Sequence, residues 1–162
     1  MEISEIKQGI IKELSKMEED CIYTSKNHFN SASIWSKIHY IIGLPLVIIS
    51  AISITNCIKW LSIIAFILAS IQTFISPDKN VHSHRIAGNS YLSLKNFIRG
   101  YKEYGILSSD DKAAMGEANT FKLKLNQLNE SSQMPICFAF GITKKGIDRG
   151  EAEYKIDKEN NQ

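Results

Sequence analysis

Two sets of side chains in this sequence have types and spacings that could do chemistry. The first is cationic. Wound at about 100° per residue, residues 78–105 place His84, Arg85, Lys95, Arg99 and Lys102 within one arc of about 100°. Ile86, Ala87, Tyr91, Leu94, Phe97, Ile98, Tyr101 and Tyr104 fall on an adjacent, apolar arc. Guanidinium and ammonium groups so arranged suit the phosphates of a cytoplasmic nucleotide, through charge-assisted hydrogen bonds. They suit lipid headgroups equally well, and a plain solvated helix face has the same appearance. Lys144, Lys145 and Arg149 form a second, smaller basic cluster.

The second set is uncharged. Ser62, Ala65, Ala69, Gln72, Thr73 and Ser76 recur at spacings of three and four, and Gly43, Ser50, Ser53 and Cys57 share a face in the same manner. Hydroxyls and an amide on such faces can line a narrow water path without a fixed charge. Small residues at the same spacing also let two helices approach closely. Gln72 is the residue assigned to a lumen, with Ser62, Ala65, Ala69, Thr73, Ser76, Ser50 and Ser53 beside it. Catalytic constellations are lacking. His82 and His84, two residues apart, point about 200° apart on a helix and cannot share a metal. No Gly-rich phosphate loop, HExxH or GxSxG pattern occurs, and the three cysteines are scattered without a CxxC. The sequence therefore leads to a protein that is not an enzyme and has no metal or cofactor.

The elements that position these sets are unusual in hydropathy. Residues 40–54 (YIIGLPLVIISAISI) and 60–75 (WLSIIAFILASIQTFI) hold no Asp, Glu, Lys, Arg or His, and each contains nine Ile, Leu, Val or Phe. With Asn56, Cys57 and Ile58 each block reaches across ~30 Å of hydrocarbon at ~1.5 Å per residue. Insertion is favoured by about 3–5 kcal/mol per helix. The short connection, Thr55–Lys59, makes them antiparallel neighbours. Lys26 and Lys37 precede the hairpin, Lys79, Arg85, Lys95 and Arg99 follow it, and its loop carries Lys59 alone. The bias of Lys and Arg toward the cytoplasm then puts both termini inside. The net charge of +2 adds little to that argument.

The expected fold is an all-α membrane protein, a two-helix transmembrane hairpin with a cytoplasmic N-terminal helix and a C-terminal helical collar. Residues 1–39 form the amphipathic N-terminal helix and juxtamembrane segment, with Ile3, Ile6, Ile10, Leu14, Met17 and Cys21 as its apolar stripe. Spans follow at 40–58 and 59–76, with a kink expected at Pro45. Residues 77–157 form the cytoplasmic helical region, and 158–162 a disordered tail. Within that region Ser76-Pro77-Asp78 starts a helix that Gly105 ends. Ser108 to Asp111 cap another at about 110–130, burying Ala114, Ala118, Phe121, Leu125 and Leu128. Pro135 opens a last segment. Two helices per chain cannot enclose a pore, so a conducting form needs a homo-oligomer, most simply a closed ring such as a tetramer.

The order of parts also carries a resemblance. YTSKNHF at residues 23–29, the span IIGLPLVIISAIS with Gly43 and Pro45, a second span ending FISPDK, and HRIAGNSYLSLKNFIRGY in the next helix follow one another at short spacing. This sequence resembles the SLATT family of two-helix membrane effectors of bacterial anti-phage defence, over about residues 3–107. Members of that family are proposed to assemble in the inner membrane as pores that end the life of an infected cell. They are encoded beside nucleotide-second-messenger synthases, SLOG-type sensors or reverse transcriptases. The resemblance implies a gated ion channel in the bacterial inner membrane, in contact with membrane lipid. It further implies control by a nucleotide or oligonucleotide from a partner nucleotidyltransferase, received at His84, Arg85, Lys95, Arg99 and Lys102. The alternative is a non-conducting membrane anchor or scaffold that recruits a soluble partner.

Overall fold

The computed structural model describes the backbone of residues 4–56 and 59–151, and the side chains of the same residues except 54–56. Ile3, Cys57 and the tail at 158–162 lie outside the described residues. Every described element is helical: α1 (Glu5–Asn56), α2 (Lys59–Ile75), α3 (Pro77–Gly100), a wide π turn (Tyr101–Gly105), α4 (Ile106–Ser108), α5 (Asp111–Ser131) and α6 (Cys137–Asp148). Two of the helices are long and apolar enough to cross a membrane.

The largest departure from expectation is α1. No boundary falls at 39/40, because its 52 residues form one helix of about 78 Å that carries both the polar N-terminal stripe and the first apolar block. The helix continues through Pro45, although proline removes the N–H that would bond the Ile41 carbonyl. The apolar end of the molecule is the α1–α2 hairpin. Its outer surface exposes Ile41, Leu44, Val47, Ile48, Ile63, Phe66, Ile67 and Phe74.

The polar end is a three-helix bundle. The lower half of α1 buries Ile10, Leu14, Met17 and Cys21 against Tyr91, Leu94 and Ile98 of α3, Ile106, and Ala114, Ala118, Phe121 and Leu125 of α5. Each large apolar side chain so buried contributes about 1.5–3 kcal/mol. Pairs between elements fix the directions. Glu18 meets Lys102 at 2.8 Å and His39 meets Asp78 at 3.5 Å, so α3 runs antiparallel to α1. Ser4 meets Asp111 and Glu13 meets Lys122, so α5 runs parallel to it. The cap of α5 is Asp110, whose carboxylate accepts from the Ala113 N–H at 2.7 Å. The buried side of α5 is the one the sequence predicts, with Leu128 half-buried at its end.

Two joints separate the ends. Ser76 (φ 45°, ψ 57°) alone links α2 to α3 in a left-handed conformation, and Asn80 Nδ2 donates to the Ile75 carbonyl at 3.1 Å. At the other end of α3 the helix does not stop at Gly105. It widens into the π turn and continues to Ser108, which sets Ile106 fully inside the core.

α1 lies close against α3 at Gly88. A Cβ there would lie 2.9–3.1 Å from three ring atoms of Phe29. Gly88→Ala gains about 1 kcal/mol of helix propensity. It loses about 1–3 kcal/mol because the whole Phe29 ring must turn inside a packed contact. We expect a net loss near 1 kcal/mol, read as a lower melting temperature of the detergent-solubilised protein. An unchanged or higher value would show that the ring moves freely.

Candidate functional site

The five cationic residues of α3 do not share an open face. His84 is 0% exposed and Lys95 3% exposed, both turned toward α1. Arg99 Nε binds Glu103 at 3.0 Å, and Lys102 Nζ binds Glu18 at 2.8 Å. Only Arg85 of the five lies on the open surface. The physical reason is a displaced stripe. The residues of α3 that are buried beyond Pro77 are His84, Ala87, Gly88, Tyr91, Leu94, Lys95 and Ile98. Ile86, Phe97 and Tyr104, which the helical wheel assigns to the apolar side, are exposed instead. Gly88 decides this, since its missing side chain is what admits Phe29.

The uncharged set sits along the α1–α2 seam. Ser53 and Ser62 hydroxyls hydrogen-bond to each other across the helices near the connection. At the opposite end Gln72 Nε2 lies 3.4 Å from His39 Nδ1, and its amide packs over Gly43, 3.7 Å from where a Cβ would stand. Its Oε1 is buried without a partner. Ala65, Ala69 and Ser50 are half-buried between these ends, while Thr73 is exposed and returns its hydroxyl to the Ala69 carbonyl at 2.9 Å. Ser76 Oγ donates to the Thr73 carbonyl at the α2–α3 joint. Within one chain, then, Gln72, Ser53 and Ser62 join the two helices, and Thr73 stands outside the seam.

Sequence reasoning misses a buried polar centre. His28 Nδ1 of α1 and His84 Nδ1 of α3 are 3.0 Å apart and both rings are enclosed. The His28 ring stacks on Tyr91, with centroids 5.5 Å apart, and Tyr91 OH donates to Asn129 Oδ1 of α5 at 2.8 Å. One chain of contacts thus ties all three bundle helices. A bond between two Nδ1 atoms needs one ring to donate and the other, neutral, to accept, so the two imidazoles cannot both be charged. Burial, and then the proximity of His84, pull the His28 pKa down to about 4, and burial lowers that of His84. His84 Nε2 has no hydrogen-bond partner. Cys21, enclosed in the same bundle, has its thiol pushed up to about 12 by burial and then by Asp20 and Glu18, so it is inert as a nucleophile. Among the described residues no three His, Cys, Asp or Glu side chains converge as metal ligands. The signal for the His pair is spacing: Ser25 and His28 continue the stripe of Leu14, Met17 and Cys21 in polar residues, as far as Ala32.

The pair makes the bundle sensitive to acid. Unfolded histidine takes a proton near pH 6.5, whereas folded His28 resists until about pH 4. The contribution is fully present above about 6.5 and is lost as pH falls toward 4. We expect the melting temperature to fall across that window, and His28→Gln to flatten the slope. An equal slope in wild type and variant would place the acid sensitivity elsewhere.

Comparison with protein-family models, with curated proteins and with solved structures finds no match for this chain.

Proposed function

We propose that this chain is a pore-forming membrane effector whose α1–α2 hairpin crosses the bacterial inner membrane, with both termini in the cytoplasm. Several copies form a ring, and the bundle of each copy contributes to a cytoplasmic collar that gates it. The observation that carries this reading is mechanical continuity. α1 passes from the bundle into the apolar hairpin as one helix, and α2 is tied to α3 by Ser76 alone. A change in how the bundle packs is therefore delivered to the hairpin without an intervening flexible linker. The exposed apolar belt of the hairpin supports bilayer insertion.

The signal we propose is a nucleotide or oligonucleotide from a partner nucleotidyltransferase, as the likeness to SLATT effectors suggests. With His84 and Lys95 buried, a phosphate ligand meets Arg85 first. It reaches Arg99 and Lys102 by competing with Glu103 and Glu18. Ligand binding would then break the Lys102–Glu18 link between α3 and α1, the same helices that lead into the hairpin.

The anchor or scaffold reading has its own support in the seam, where Gln72 bonds His39 and Ser62 bonds Ser53 within the chain. Ion flux through liposomes containing only the purified protein separates the two, with and without a panel of cyclic and linear nucleotides. A gated channel gives flux that one nucleotide switches on or off, and Gln72→Leu changes that flux by about tenfold or more while leaving assembly intact. Absence of flux in every condition would favour the anchor.

A further inference from the structure

α6 crosses α1 instead of running beside it. The Ile136 N–H donates to Ser31 Oγ at 3.0 Å, and Asn30 Nδ2 donates to Thr143 Oγ1 at 2.9 Å. Seven residues of α6, about 10 Å of helix, thus meet two adjacent residues of α1. Ala139, Thr143 and Gly146 are the buried face. The two flanks of α6 then point along α1 in opposite directions. One carries Phe140, whose ring meets Tyr23 edge-on with centroids 5.3 Å apart, more than a turn of α1 toward the polar end from Asn30. The other flank, with Phe138 and Ile142, faces the apolar hairpin. Phe138 is 79% exposed and Ile142 51% exposed.

The loop that leads into α6 rises to the same border. Gln133 Nε2 donates to Asn80 Oδ1 at 3.1 Å, one turn from Ser76 and near the level of the His39–Asp78 pair. Met134, beside it, is 86% exposed. Ser31 lies nine residues before Tyr40, about 14 Å along α1. A helix lying across it, about 5–6 Å in radius, brings Phe138 to the headgroup layer. Lys144, Lys145 and Arg149 are exposed on the same helix. Lys145 and Arg149 border a cleft of about 390 Å³ shared with Lys26 and Asn30 of α1. Glu151 is tied to Lys26 at 3.2 Å, and Asp148 is the exposed acid on this helix.

We propose that α6, with Met134, is an interfacial helix that docks on the anionic lipid surface of the leaflet facing the bundle. Phe138, Ile142 and Met134 enter the border of the acyl region, and Lys145 and Arg149 hold the lipid phosphates. The aromatic and aliphatic side chains lie on the hairpin side of α6, continuous with its apolar belt, with Lys145 and Arg149 beside them and Lys144 on the opposite flank with Phe140. This inference rests on the hairpin spanning the bilayer, as proposed above.

The test uses tryptophan emission from the full chain reconstituted in phosphatidylglycerol vesicles, with acyl chains either unmodified or brominated near the headgroup. Trp35→Phe leaves Trp60 as the reporter of the hairpin. Trp35→Phe/Trp60→Phe/Phe138→Trp reports α6, and Met134→Trp in place of Phe138→Trp serves if the former fails to fold. We expect brominated chains to quench both reporters about twofold or more. Adding Lys145→Glu and Arg149→Glu should abolish most of the quenching at α6 and leave that of Trp60 intact. Quenching of Trp60 without quenching at residue 138 or 134 overturns the docking of α6 and leaves the spanning hairpin standing. Failure of both reporters overturns both. Full quenching at α6 after the two charge reversals overturns the role of the lipid phosphates.

Discussion

The bare backbone of Gly88 lets the Phe29 ring lie against α3 where any side chain would collide, and this contact sets how the rest of the molecule is arranged. A helix pair that approaches this closely buries the narrow stripe between its axes, so His84 and Lys95 are drawn inward and Ile86 and Phe97 are left outside. The same approach brings His28 within hydrogen-bonding distance of His84 and under Tyr91. α5 then closes the third side by way of Asn129, Phe121 and Leu125. Because α1 does not end where the bundle ends, the α1–α3 contact also determines where the apolar hairpin begins.

The polar contacts in this arrangement differ in what they contribute. Exposed pairs such as Lys122–Glu13 are worth little, about 1 kcal/mol or less. Lys102–Glu18 is more enclosed and ties the end of α3 to α1. The His pair is different in kind, since its bond is lost once both rings carry a proton, and His84 Nε2 has no partner of its own. Such a buried group favours one helix register over its neighbours, while making that register dependent on proton concentration.

Much of this fold was legible in the sequence because apolar residues carry it. The hairpin stood out as two uncharged blocks, and the buried side of α5 followed from Ala114, Ala118, Phe121 and Leu125 at spacings of three and four. What was not legible was written in residues that periodicity counts as polar or neutral. The α1 stripe runs on through Ser25 and His28 to Ala32, and the α3 stripe passes through His84, Gly88 and Lys95. A pattern of hydrophobic residues alone ends the first stripe at Cys21 and rotates the second toward Phe97. The continuation of the helix past Gly105 was hidden because a glycine there reads as a helix end, whereas the chain passes through it in a π turn and carries Ile106 into the core. The seam was half legible. Its small and polar residues were visible, but whether they faced a neighbour in the same chain or open space depended on a packing choice that spacing leaves undecided.

An unbroken α1 has a consequence for how this chain can change in length. Each residue of an α-helix turns its successors by about 100° and lifts them by about 1.5 Å. Between Ala32, the last buried residue of the lower stripe, and His39, which meets Gln72, there is no loop to absorb a gain or loss. One residue added there would swing Gly43 and Ser53 away from α2 while the bundle below stayed in place. The joint at Ser76 could not follow, since a single residue links α2 to α3. The two ends of the molecule are therefore geared together: about seven added residues, two full turns, would restore the facing of the seam but lift it about 10 Å past its partner, so a change of length in α1 needs a matching one at the α2–α3 joint.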